Sequence, residues 1–232
     1  MNTRAAILSS RRWWPYLLLG LAAIYFVISL WESFATSFAL DFAVNWTAAR
    51  GLHSGISLYD RPALHELGLR LIDDPAMSGR FLERFNSVDN SPGTAVLTWP
   101  FALLPFEAAL ALFRATLLAV FGLAVLLAGL ALPPPYRGWG WFAGLMGLFL
   151  LRPVVASIWL GQLDAFVLLG LSAGTWAASR SKWWLAGVGI GAAAVLKVVP
   201  GLVLLYLVLK GKWQALAGAL LLAVGALLAS LL

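Results

Sequence analysis

The chain is 232 residues long, 62% hydrophobic and only 11% charged, with a mean hydropathy of +0.88; a soluble domain carries roughly 25% charged residues, so the composition excludes one and places the chain in a bilayer. Its net charge of +6 does not point to nucleic acid, because the basic residues are dispersed among apolar runs instead of forming one stripe, and topogenic charge accounts for them. With no cysteine present, disulfides, thiolate metal sites and a cysteine nucleophile are excluded.

The first apolar run, residues 13–31, follows Arg4, Arg11 and Arg12. As a helix it rises about 28 Å, enough to cross a hydrocarbon core. The flanking arginines place the N-terminus in the cytoplasm and the next segment outside. That segment, 32–93, is the only long polar interruption, and eight of the ten acidic residues fall in it, between Glu32 and Asp89. We read it as an extracytoplasmic loop between the first and second membrane segments. It is too small to build a core of its own, so residues 1–232 are expected to form a single integral membrane domain with the loop packed on the membrane helices.

Within the loop, residues 41–55 read as a short helix stopped by Gly55 and leading into Leu58-Tyr59-Asp60. Asp41 stands at its start, where a carboxylate serves as an N-cap, as a general base at the membrane surface, or as both. Asp60 reads as a cap or turn residue. The remaining carboxylates are expected to be solvated, capping, or paired with Arg50, Arg61, Arg70, Arg80 and Arg84. His53 and His65, near Asp60 and Glu66, match no metal-ligand spacing, and no metal site is expected.

Beyond the loop, Pro100, Pro105 and Glu107 predict a short interfacial helix followed by a span over about 110–132. Pro133-Pro134-Pro135-Tyr136-Arg137 returns the chain to the cytoplasm. The next apolar stretch runs outward from Trp139, is punctuated by Arg152-Pro153, and turns near Gly161-Gln162; residues 163–178 come back to Arg180 and Lys182. Residues 183–196 would make only about 21 Å of helix before Lys197-Val198-Val199-Pro200 interrupts, ahead of 201–209, Lys210-Gly211-Lys212 and a last segment over 213–232. Charge bias makes 183–209 a hairpin of two short helices, because a single crossing would strand Lys210 and Lys212 outside. The expectation is an all-α, polytopic transmembrane protein of about seven hydrophobic segments, with Trp13, Trp31, Trp139, Trp183 and Trp213 anchoring span ends at the interface.

Asp41-Phe42, the helix as far as Gly55, and Tyr59-Asp60 together resemble the first outer loop of glycosyltransferase family 87, the polyprenol-phosphate-mannose-dependent alpha-mannosyltransferases of the GT-C superfamily. Three further stretches agree in order and spacing. Asn90-Ser91-Pro92-Gly93 through Trp99-Pro100-Phe101-Ala102-Leu103-Leu104-Pro105-Phe106 is similar to the family's proline-rich approach to its next helix. Gly161-Gln162-Leu163-Asp164 resembles its Gly-Gln-x-Asn turn, and Ala186-Gly187 through Leu196-Lys197-Val198-Val199-Pro200 its Ala-Gly run ending in Lys-x-x-Pro. Asp164 stands where the family usually has Asn, and Ser91-Pro92 replaces a commoner Pro-Pro. The chain is shorter than members of the family usually are, and it reads as a truncated or short member whose missing helices a second chain would supply.

The resemblance implies a GT-C-like fold in the plasma (inner) membrane. It implies transfer of a hexose, mannose in the family, from a polyprenyl-phosphate sugar donor to a glycolipid or glycan acceptor of the cell envelope, on the periplasmic or extracellular side. It implies no cofactor, and its partners are the donor, the acceptor and membrane lipids. Asp41 is then the base of an inverting displacement. Lys197 and Arg152 are candidates for the donor phosphate, Gln162 and Asp164 for sugar hydroxyls, and Tyr59 for substrate contact. Each has a plainer reading: Lys197 snorkels at a helix end, Arg152 is an interfacial stop, and Gln162 and Asp164 satisfy turn backbone groups.

Two other classes stay open. A secondary transporter also uses broken helices and buried charge, but it places coupling carboxylates near the midplane, and here only Asp164 and Glu107 approach a span. A non-catalytic remnant acting as a scaffold in an envelope-glycan complex fits the short length.

Overall fold

The computed structural model describes residues 13–35, 39–72 and 92–229. Every regular element among them is helical, the solution an apolar chain adopts when lipid offers its backbone no hydrogen bonds. The first helix is α1 (Trp14–Phe34). The polar loop then supplies α2 (Leu40–His53) and α3 (Arg61–Leu71), separated by a left-handed Gly55 at φ 72°. A short α4 (Pro92–Thr98) runs into a 3-10 turn (Trp99–Leu103), and Pro105 precedes the long α5 (Phe106–Ala131). Next come α6 (Arg137–Leu150) and α7 (Arg152–Leu160), bent by 59° where Pro153 withholds the N–H that would continue the helix. The rest is α8 (Asp164–Ala178), α9 (Trp183–Leu196), α10 (Gly201–Leu209) and α11 (Trp213–Ala229).

Fewer helices than the expected seven segments are long and apolar enough to cross a bilayer. Among the described residues two qualify, Trp14–Trp31 and Phe106–Ala131, with a third if the bent α6–α7 pair is one span. The breaks at Leu151 and at 197–200 cut the other apolar runs into shorter helices.

Packing sorts the helix ends by charge. The rings of Phe113 on α5 and Phe166 on α8 stack at 6.4 Å, so these two helices start at the same end. A tight turn reverses the chain into α9. Lys212 Nζ then lies 4.3 Å from the centre of the Trp183 ring, which means α10 has carried the chain back to where α9 began. The 183–209 stretch is therefore a hairpin; a single straight crossing would separate those groups by about 43 Å. Small residues let the helices close up. A Cβ on Gly187 would fall 1.8 Å from the Ala215 carbonyl oxygen, and one on Gly218 2.3 Å from that of Trp184.

The α2 helix is the most buried part of the loop. Phe42, Ala43, Val44, Trp46 and Ala49 are in the core, and the Phe42 ring stacks on Phe113 of α5 at 4.6 Å. Polar contacts fix it to the 3-10 turn: Trp46 Nε1 donates to the Phe101 carbonyl at 3.2 Å, and Thr98 Oγ1 to that of Asn45 at 3.1 Å. Arg50, one of the arginines named as partners for the loop carboxylates, donates from Nη1 to the Ala102 carbonyl at 2.6 Å. That oxygen needs an outside donor because Pro105, three residues on, has no N–H to give it. Arg70 does pair with a carboxylate, Glu66 one helical turn away. Asp60 caps α3, accepting from the Ala63 N–H at 3.2 Å. Arg80, Arg84, Asn90 and Ser91 lie outside the described residues.

Candidate active site

Asp41 sits in the first turn of α2, but it is not the cap. The helix begins one residue earlier, at Leu40, and the residue in cap position is Ala39, which is buried and offers no side-chain acceptor. Asp41 thus lies among the unsatisfied N–H groups of a helix start, where the macrodipole favours negative charge.

The partner of Asp41 arrives from far along the chain. Helix α7 ends at Gly161, left-handed at φ 70° and ψ 40°, and the Gln162 N–H closes back on the Ser157 carbonyl at 2.8 Å. Glycine is required twice here. Its φ is one that side-chain-bearing residues rarely adopt, and a Cβ would meet Phe42 Cβ at 2.4 Å. The close approach of this turn to the start of α2 brings Gln162 Nε2 to 2.8 Å from Asp41 Oδ2.

Two residues further, Asp164 opens α8. It accepts from Ser157 Oγ at 3.3 Å and forms an ion pair with Lys197. Lys197 stands where α9 stops, on extended backbone at φ −142° and ψ 133°. The antiparallel register of α8 and α9 about their connecting turn sets the first residue of one beside the last of the other. The ion pair is partly open to solvent, with side-chain exposures of 52% for Lys197 and 36% for Asp164.

Four of the six candidate residues therefore meet as two pairs at one turn, Asp41 with Gln162 by a hydrogen bond and Asp164 with Lys197 by an ion pair. Arg152 and Tyr59 stand apart. Arg152 begins α7, about 13 Å along the helix axis from the turn, and Tyr59 is 76% exposed between α2 and α3. The arrangement offers a carboxylate that accepts from a neutral amide, on the same turn as an ion pair whose ammonium is partly open to solvent. Among the described residues no group of three His, Asp or Glu side chains is placed to hold a metal ion; His53 instead packs on the Trp99 ring at 4.4 Å.

The sequence reading passed over two residues that hold this turn. Ser157 is buried and bonds to Asp164. Arg114, in the middle of apolar α5, is 2% exposed and donates from Nη2 to the Trp159 carbonyl at 3.1 Å. That carbonyl belongs to the last turn of α7, where oxygens lack intrahelical donors. A signal for Arg114 was available, since an arginine inside an apolar span is costly and is retained for a reason.

Two helices of membrane-spanning length, shorter apolar helices packed through small residues, and a polar cluster where the short helices break define a helical membrane protein with a candidate site at the helix ends. Residues 90–232, well over half of the chain, match the family model of glycosyltransferase family 87. The chain belongs to glycosyltransferase family 87 and is a membrane glycosyltransferase. Searches of curated proteins and of solved structures return no match. The matched region includes Arg152, Gln162, Asp164 and Lys197; Asp41 precedes it.

Proposed function

We propose that this protein transfers a hexose, with mannose the sugar its family resemblance favours, from a polyprenyl-phosphate sugar to a glycolipid or glycan acceptor at the outer face of the membrane. The observation that carries this reading is the Asp41–Gln162 hydrogen bond, which aims a carboxylate at the helix-end cluster. The acceptor oxygen forms a bond to the anomeric carbon as the bond from that carbon to the phosphate oxygen breaks. The phosphate leaves with the electron pair, and Asp41 takes the hydroxyl proton. The leaving group is a stable anion, so the work of the protein is to deprotonate the acceptor and hold it in line. Inversion follows from a single displacement.

The departing phosphate needs a cation nearby. Lys197 is favoured over Arg152 because its ion pair ties it to the turn that carries Gln162. Asp164 partners Lys197 between turnovers, and Tyr59 contacts substrate from the exposed turn.

The topology of this reading puts the N-terminus in the cytoplasm of a multi-pass inner-membrane protein, with 32–93 as its extracytoplasmic loop in a GT-C-like scaffold. Its support is the distribution of charge: Arg137, Arg180, Lys182, Lys210 and Lys212 occupy connectors at one set of helix ends, whereas Asp41, Glu107 and Asp164 lie at the other, with Lys197 paired to Asp164.

The experiment is transfer of labelled mannose from polyprenyl-phosphate-mannose by the purified full chain and by Asp41→Asn. Wild-type transfer with a loss of about 10²- to 10⁴-fold in the variant is expected of a general base. Equal rates would sink the base assignment, and no transfer by either protein would sink the activity.

A further inference from the structure

Two connectors in the C-terminal half are built on one plan. Arg180-Ser181-Lys182-Trp183 closes α8 and opens α9, and thirty residues later Lys210-Gly211-Lys212-Trp213 closes α10 and opens α11. The second residue of each is left-handed, Ser181 at φ 57° and Gly211 at φ 72°. In each the following lysine donates its backbone N–H five residues back, Lys182 to Ala177 at 3.0 Å and Lys212 to Leu207 at 2.9 Å. This closure ends a helix within a single turn and starts the next one at once.

The hairpin sets the two turns side by side. Lys212 of the second turn lies over the Trp183 ring of the first at 4.3 Å. Four cations, Arg180, Lys182, Lys210 and Lys212, therefore share one small surface. Helices α9 and α11 start from it and α8 and α10 end at it, so the helix dipoles offset one another and the side chains carry the charge. Among the described residues no carboxylate pairs with any of the four. No Asp or Glu follows Asp164 in the sequence, and Asp164 itself is at the far end of α8, about 22 Å away along the helix. Glu107 opens α5, which starts at that same far end.

We infer that this pair of turns is a binding surface for the headgroup of an anionic phospholipid, a membrane lipid distinct from the sugar donor. The cations do not stand alone. Arg180 lies 4.4 Å from the Trp176 ring and Lys210 5.8 Å from that of Tyr206, and Trp213 is 64% exposed beside Lys212. Charge alternating with aromatic rings suits a ligand that is anionic at its head and apolar just below it, at the level where such rings anchor. A soluble phosphate would gain nothing from the rings. Orienting the chain in a membrane requires only the number of charges; it does not require two turns of the same design held against each other.

The test reconstitutes the full chain in phosphatidylcholine bilayers and measures, by electron paramagnetic resonance, the immobilised fraction of spin-labelled phosphatidylglycerol and of spin-labelled phosphatidylcholine. The wild type is expected to prefer phosphatidylglycerol by about fivefold, a modest factor for several basic side chains at a surface. The preference should vanish in the fourfold Arg180→Gln, Lys182→Gln, Lys210→Gln, Lys212→Gln variant and persist in Arg137→Gln, which removes a cation at the same end but outside the two turns. If the fourfold variant does not insert, Lys210→Gln with Lys212→Gln should reduce the preference at least twofold. Equal immobilisation of both lipids by the wild type would overturn the proposal. So would a preference that survives the turn variants, or one lost equally in Arg137→Gln.

Discussion

Gln162 donates its side-chain amide to the carboxylate of Asp41 at 2.8 Å, across 121 positions of sequence. The contact joins the first turn of a helix in the polar loop to a turn between two apolar helices. Beside the sugar contact and the turn role that the sequence suggests for Gln162, the contact makes it a candidate to orient the proposed base.

Gln162→Leu should accordingly lower kcat by roughly ten- to a hundredfold, the scale of a misplaced catalytic group, while the KM for donor stays within about twofold. Steady-state transfer assays separate the two parameters. A raised KM with unchanged kcat would return Gln162 to substrate binding.

Gly161→Ala and Gly55→Ala form a matched pair. Both glycines are left-handed, at φ 70° and 72°, but a Cβ on Gly161 meets Phe42 Cβ at 2.4 Å whereas one on Gly55 meets nothing within 4 Å. The change at Gly55 should cost about 1 kcal/mol from backbone strain alone, and that at Gly161 about 2–4 kcal/mol because the turn must also move off α2. Thermal unfolding in detergent, followed by the loss of monodisperse protein, should rank them in that order. Equal midpoints would argue against the close approach.

Arg114→Met keeps the length of the side chain and removes its donors. The Trp159 carbonyl then loses its 3.1 Å bond in a part-buried setting, at a cost of about 1 kcal/mol. The strain falls on the last turn of α7, so transfer activity should drop along with stability. A fully active and equally stable variant would show that Arg114 does not support the turn.

Topology is accessible because the natural chain has no cysteine. Asp60→Cys and Lys210→Cys should react with membrane-impermeant thiol reagents from opposite sides of intact and inverted vesicles. Labelling of both from the same side would overturn the charge-sorted orientation.

Much of the fold was legible because its punctuation is local. Arg152-Pro153 marks the 59° bend, Gly55 and Gly161 mark helix ends, and the lysines after 209 predict the hairpin that Lys212 and Trp183 close. Asp60 reads as a cap or turn residue, and it caps α3. Asp41 reads as a cap, a base or both, and the cap reading fails because α2 starts at Leu40 with the buried Ala39 in cap position. Arg50 is one of five arginines the sequence offers to the loop carboxylates, and its partner is a carbonyl that no local pattern names, because burial of α2 against the 3-10 turn leaves the Ala102 oxygen needing a donor.

Sequence by itself determined that this is a helical membrane protein, where its helices break, and which ends of them carry positive and negative charge, for these follow from composition and from neighbours within a few residues. Tertiary structure alone decided that Asp41 meets Gln162, that Asp164 pairs with Lys197, and that Arg114 braces the turn between them. Those contacts depend on how closely α2, α5, α8 and α9 pack, and that distance is set by side-chain volumes summed over whole interfaces, glycine at Gly161 among them, which no local pattern records.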